Sequence, residues 1–172
     1  MNKALHIGGV RAAGAAFLAL ILPATGAGAQ ENHGAPAKLP KISHMSCNGA
    51  PNEIRIIVRN VKKSVGLITV ELYADDQENF LRTEGRVERV QFAARAPETS
   101  FCVHAPEATT YAIGLYHDQN ANNRIDKGAL GIPVEPYGVS NNPRMRFAAP
   151  TVEESRFSVP REGAFVDIRL KN

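Results

Sequence analysis

Along the last two-thirds of this chain, apolar and polar residues alternate in short runs, separated by glycine, proline and Asn/Asp clusters. "LITVELYA" (67–74) places Ile68, Val70 and Leu72 on one side and Thr69, Glu71 and Tyr73 on the other. This is the spacing of a strand with one buried face. "EIRIIVRNV" (53–61) is rich in β-branched residues, and "VKKSVG" after it reads as a turn. "RVERVQFAA" (86–94) sets Val90 and Phe92 two apart, and "TTYAIGLYHD" (109–118) aligns Tyr111, Ile113 and Leu115. "AFVDIRL" (164–170) aligns Val166, Ile168 and Leu170, while "TSFCVHA" (99–105) and "SRFSV" (155–159) complete the set. The polar connection "DDQENFLRTEG" has room for one helical turn anchored by Phe80 and Leu81, and "PTVEESRF" for another after Pro150. No stretch sustains helical periodicity. The pattern predicts an all-β protein, an antiparallel β-sandwich of about seven strands, with a small closed barrel as the alternative.

The beginning of the chain follows a different pattern. Lys3 and Arg11 precede an apolar run from Ala12 to Leu22, Pro23 breaks it, and Ala27-Gly28-Ala29 supplies small residues. Residues 1–29 read as a secretory signal peptide cut before Gln30, because the apolar run is too short to span a bilayer. Residues 30–46, "QENHGAPAKLPKISHMS", read as a flexible lead-in, and 47–172 as a single sandwich domain. Of the 20 basic and 17 acidic residues, the leader holds two basic ones, leaving a nearly neutral chain after cleavage. This argues against nucleic acid or an anionic membrane surface as partner. No later segment is long and apolar enough to span a membrane, so the expected location is periplasmic or secreted. Two cysteines in an exported chain, Cys47 and Cys102, predict a disulfide in place of free or redox-active thiols. Closing a segment of that length stabilises by roughly 4 kcal/mol in the chain-entropy account.

"HDQNANNRID" (117–126) carries the chemistry. Asp118, Asn120 and Asn122 recur at every second position, as at positions 1, 3 and 5 of an EF-hand loop. Arg124 falls at position 7, where a backbone carbonyl suffices, Ile125 at the usually apolar position 8, and Asp126 at position 9. Asn123 stands where the bend favours glycine, and asparagine tolerates a left-handed backbone. Position 12 is Ala129, so the strongest ligand of an EF-hand is missing. Glu135, in "GIPVEPYG", is close enough in sequence to fold back and complete the shell. The candidate ligand set is therefore Asp118, Asn120, Asn122, Arg124, Asp126 and Glu135, and the candidate ion is calcium, which favours many oxygen ligands. The competing reading is a solvated turn whose Asn and Asp side chains bond nearby backbone. His117 reads as a surface or packed strand-end residue. The segment "GIPVEPYGVSNNPRMRF" reads as a long ordered loop instead of a strand, with Tyr137 as a plug beneath it.

The runs "YAIGLYHDQNANNRID", "LGIPVEPYGVSNN" and "FAAPTVEESRFSV" resemble the signature of the domain of unknown function 2141 family of exported bacterial proteins. The resemblance is strong from Tyr111 to Val159 and weaker over the preceding strands and the last one. Asn123 and Pro136 stand where that family usually or often has glycine. The resemblance implies a small, exported, β-rich domain, immunoglobulin-like or transthyretin-like in fold, and no activity that can be transferred.

Catalytic sets are sparse. Ser140 lacks the Gly-x-Ser-x-Gly elbow, and His117 and Asp118 are adjacent strand residues that point to opposite faces. Asp75-Asp76 and Glu153-Glu154 read as solvated loop charges. The leading expectation is a non-catalytic binding or structural module with a calcium-stabilised loop, its partner an envelope protein, a glycan or a peptide. The alternative is a metal-dependent hydrolase of small envelope substrates that uses the 117–135 loop.

Overall fold

The computed structural model describes residues 47–144 and 148–171. Residues 1–29 and 30–46, where a signal peptide and a lead-in are expected, lie outside the described residues. Eight strands and one short helix follow in the order β1 (Glu53–Arg59), β2 (Leu67–Ala74), β3 (Arg86–Ala93), β4 (Glu98–His104), β5 (Thr110–Asp118), β6 (Tyr137–Val139), α1 (Val152–Ser155), β7 (Phe157–Ser158) and β8 (Ala164–Arg169). They form a sandwich. A three-stranded sheet has the order β4-β1-β8, and a five-stranded sheet has the order β3-β2-β5-β6, with β7 also paired to β5. The barrel alternative is not realised, since the strands make two separate sheets.

The alternation read along the chain is what stacks these sheets. Ile54, Ile56 and Val58 from β1, Ile68, Val70 and Leu72 from β2, and Tyr111, Ile113 and Leu115 from β5 lie in one buried cluster with Val166 and Ile168. Phe92 of β3 and Phe101 of β4 stack across the two sheets, ring centroids 3.9 Å apart. Burying side chains of this size removes about 1.5–3 kcal/mol of hydration penalty each. The disulfide Cys47–Cys102, with Cα atoms 5.2 Å apart, ties the chain entering β1 to the neighbouring β4.

Three features depart from the sequence pattern. The pairing is not wholly antiparallel: β8 lies parallel to β1, with Ile56 opposite Val166 and Val58 opposite Ile168. Alternation is the same in parallel and antiparallel strands, so direction was not encoded in it. The segment expected to be a loop contributes β6, in which Gly138 faces Leu115 and Val139 faces Gly114 of β5. Its composition hid the strand, but Gly138 is required there: a Cβ would meet Ile168 Cγ2 at 2.7 Å and Arg169 O at 3.0 Å. Backbone bonds Tyr137 N–H to Lys171 O (2.9 Å) and Lys171 N–H to Tyr137 O (2.8 Å) lace this corner of the two sheets together. Tyr137 itself is half-buried and is not sealed in the core as a plug.

The turn after Pro150 is α1, closed by a capping box in which Thr151 and Glu154 satisfy each other's backbone N–H. Glu154 is therefore a capping residue, not a free surface charge. The 75–85 connection is built of turns and holds no helix. Its Phe80 packs edge-on to Tyr73 at 5.4 Å, in a second cluster with Ala112, Val139 and Val152 on the outer face of the five-stranded sheet. That face, which alternation alone marked as solvated, is partly roofed. Among the described residues no helix is long and apolar enough to cross a membrane.

Replacing both cysteines by alanine is expected to lower stability by about 2–4 kcal/mol, read as a reduced midpoint in urea unfolding. A change of a few tenths would mean that the bridge does not restrain the unfolded chain.

Candidate functional site: a polar loop closed on itself

Strand β5 ends at Asp118, which is fully buried. A buried carboxylate is tolerated only when its oxygens find donors. Both do, within the loop: Asp118 Oδ1 accepts the N–H of Asn122 (3.0 Å), and Oδ2 accepts that of Asn123 (2.8 Å). These bonds force the chain to wrap tightly around the carboxylate. Asn123 takes the left-handed conformation at φ 67°, as its place in the pattern predicts, and Ala121 does so at φ 55°.

The remaining polar side chains continue the wrap. Asn120 Oδ1 accepts from Asn122 N–H (3.1 Å), and Asn122 Oδ1 accepts from Arg124 N–H (3.1 Å). Their amide groups donate to Asp126, Asn120 Nδ2 to Oδ2 at 2.8 Å and Asn122 Nδ2 to Oδ1 at 2.9 Å. Glu135, nearly buried, folds back over the loop. Its Oε1 accepts from Gln119 N–H (2.9 Å) and its Oε2 from Asp126 N–H (3.0 Å). The structure thus brings Asp118, Asn120, Asn122, Asp126 and Glu135 together. The Arg124 side chain turns outward, mostly exposed, with Nε 3.6 Å from Asp126 Oδ1. Ala129 lies exposed in the following turn.

The loop is gathered but not contracted onto a point. Among the described residues, the set of His, Cys and carboxylate donors lying within 4.8 Å of one another is Cys47, Glu53 and Cys102, whose sulfurs form the disulfide. The carboxylates of Asp118, Asp126 and Glu135 do not meet that spacing. As folded, the oxygens are occupied by N–H groups.

Residues outside the motif hold the loop against the sheet. Arg89 of β3 donates from Nη2 to Asn123 O (2.8 Å). Gln91 bridges Thr69 Oγ1 (3.1 Å) and Asn123 Oδ1 (3.0 Å). Gly66 allows β2 to begin directly against the end of β5, where a Cβ would lie 2.0 Å from Asp118 O. Arg89 and Gln91 sit at alternate, polar positions of a strand, which in sequence cannot be told from a solvated face. His117 points the other way. It is buried, with Nε2 2.7 Å from Val65 O, and Nδ1 has no partner among the described residues. It packs the edge of the sandwich and stays out of the loop.

The amide donors of Asn122 and Asn120 hold Asp126 below the ordinary Asp value. A depressed folded-state pKa contributes stability above the unfolded value of about 3.9 and loses it as pH falls through the lower folded value. The Asp126 carboxyl carbon is expected to titrate by NMR with a midpoint below that of a free aspartate. In the Asn120→Ala/Asn122→Ala double variant the midpoint should move back up. An unchanged midpoint would separate Asp126 from the amides.

Comparison with curated proteins and with solved structures returns no match. Residues 56–166 match the family described as an uncharacterized protein conserved in bacteria (DUF2141), well over half of the chain, and the protein belongs to that family.

Proposed function

We propose that this protein is an exported, non-catalytic β-sandwich module of binding or structural role, whose polar loop is stabilised by calcium. The observation that carries the reading is the position of Glu135. Sixteen residues beyond Gln119, it reaches back to accept the backbone N–H groups of both the second and the ninth positions of the loop, Gln119 and Asp126. A carboxylate oxygen offers two lone-pair directions. Each oxygen of Asp118 spends one on a backbone N–H, which leaves acceptor capacity for a cation. The amides of Asn120 and Asn122 now do for Asp126 what a cation would do, supplying positive charge to its oxygens. Calcium takes six to eight oxygen ligands in flexible geometry, which suits a loop that gathers carboxylate and amide oxygens from several positions.

Both oxygens of Asp118 and both of Glu135 serve the loop's own backbone. That use is scaffolding, and it favours the non-catalytic reading over a metal-dependent hydrolase. Export is supported by the leader pattern and by the Cys47–Cys102 bridge, which persists in oxidising compartments. The partner in this reading is an envelope protein, a glycan or a peptide.

Thermal melts of the mature chain test the calcium assignment. At a hundredfold excess over its dissociation constant, calcium should add about 2.7 kcal/mol, a shift of several degrees that chelator reverses. The Asp118→Ala and Asp126→Ala variants should not respond. If neither the melt of the parent nor its titration calorimetry responds to calcium, the assignment is wrong, and the sandwich is unaffected.

A further inference from the structure

The outer face of the five-stranded sheet carries a feature that the loop does not explain. An open groove of about 1270 Å³ runs between the 75–85 connection and the 123–133 segment. Its floor is formed by Glu71 and Tyr73 of β2, Arg86 and Arg89 of β3, and Gly114 and Tyr116 of β5. Alternation puts the outward-facing residues of three neighbouring strands side by side there.

The floor is an unbalanced charge cluster. Glu71 is its one carboxylate, and two guanidinium groups share it, Arg86 Nη2 at 2.8 Å and Arg89 Nε at 3.4 Å. Tyr73 donates its O–H to the other oxygen of Glu71 at 2.6 Å, and burial raises the Tyr73 pKa, so the phenol stays a donor. Arg89 is further fixed by Tyr116 Oη (3.1 Å) and by Asn123 O (2.8 Å). The two arginine side chains are thus held in place, yet remain about a quarter exposed, at 24% and 26%. Each guanidinium has five N–H donors, more than these partners use. Arg86 Nε is buried and has no hydrogen-bond partner among the described residues, so the floor is not a self-satisfied ion pair there. Arg82, Arg124 and Lys127 add positive charge at the walls against the single carboxylate of Glu78. A cleft with an excess of one sign of charge concentrates ligands of the other.

The walls supply an apolar counterpart. Leu81, 39% exposed, is held at φ 60° with its side chain lying over Gly114, where a Cβ would come within 2.7 Å of Leu81 Cδ2. A branched residue kept in a left-handed conformation and half in solvent is a strained placement of the kind found at ligand sites. Ile132, 59% exposed, and Tyr137 line the opposite wall.

We propose that this groove binds an organic anion, a carboxylate received by Arg86 and Arg89 with its apolar body against Leu81, Ile132 and Tyr137. Arginine suits the first half because its planar fork matches a carboxylate in two parallel hydrogen bonds. The groove adjoins the proposed calcium loop: Asn123 and Arg124 line its wall, and Arg89 bonds Asn123 O. Octanoate is the probe, followed by NMR of backbone amides and arginine Nε–H groups, with and without calcium so that the two sites are read apart. Octanoate should give saturable shifts at Gly114, Tyr116, Arg86 and Arg89, while 1-octanol and inorganic phosphate bind at least tenfold more weakly. Arg86→Gln should reduce octanoate affinity at least tenfold. Arg82→Glu with Lys127→Glu, at exposed wall positions, should reduce it severalfold with an unchanged melting temperature. The proposal is overturned if shifts scatter outside the groove, if octanol or phosphate binds as well as octanoate, or if both variants fold and keep the parent affinity.

Discussion

Asp118 sits without solvent exposure at the end of the central strand of the larger sheet. A carboxylate in that position must be met by donors, and no side chain from the core can supply them. The donors are the next residues of its own chain. Two backbone N–H groups close onto its oxygens, and the left-handed turns at Ala121 and Asn123 follow from the tightness of that closure. The loop's shape is therefore a consequence of where β5 stops. Gly66 belongs to the same constraint, since any side chain there would collide with Asp118 O.

From that anchor the rest of the polar surface is assembled. With Asn123 bent outward, its carbonyl and side chain reach Arg89 and Gln91 of β3. Arg89 in turn shares Glu71 with Arg86. One chain of contacts thus runs from the buried carboxylate, through the loop, to the charged floor of the groove. The inner face of the same sheet is largely apolar, with the buried His117 at its edge, and stacks on the smaller sheet. The division is sharp: the inner face stabilises the fold, and the outer face, only partly roofed by Phe80, Val139 and Val152, keeps open space.

The corner between the sheets shows how little side-chain room the architecture leaves. Gly138 lies against Ile168 and Arg169, and the backbones of Tyr137 and Lys171 bond directly. A short strand with glycine at its centre is a poor strand by propensity. It forms because neighbouring backbone groups on β5 and at the end of β8 need partners. The preceding prolines end just where the pairing begins.

Apolar alternation, together with β-branched composition and turn residues, marked seven of the eight strands among the described residues, because period-two patterning follows from backbone geometry alone. The oxygen-rich loop was equally local: donors at every second position and an asparagine that tolerates the left-handed bend sit within ten residues, and Glu135 is a short distance beyond. Strand direction, the pairing of β6, and the partners of Asn123 were decided only by the tertiary structure. Each depends on contacts between residues far apart in the chain, such as Ile56 with Val166 or Arg89 with Asn123. A polar residue facing solvent and one facing a groove look alike in sequence. What separates Arg86 and Arg89 from ordinary surface charges is that folding places them beside one shared carboxylate.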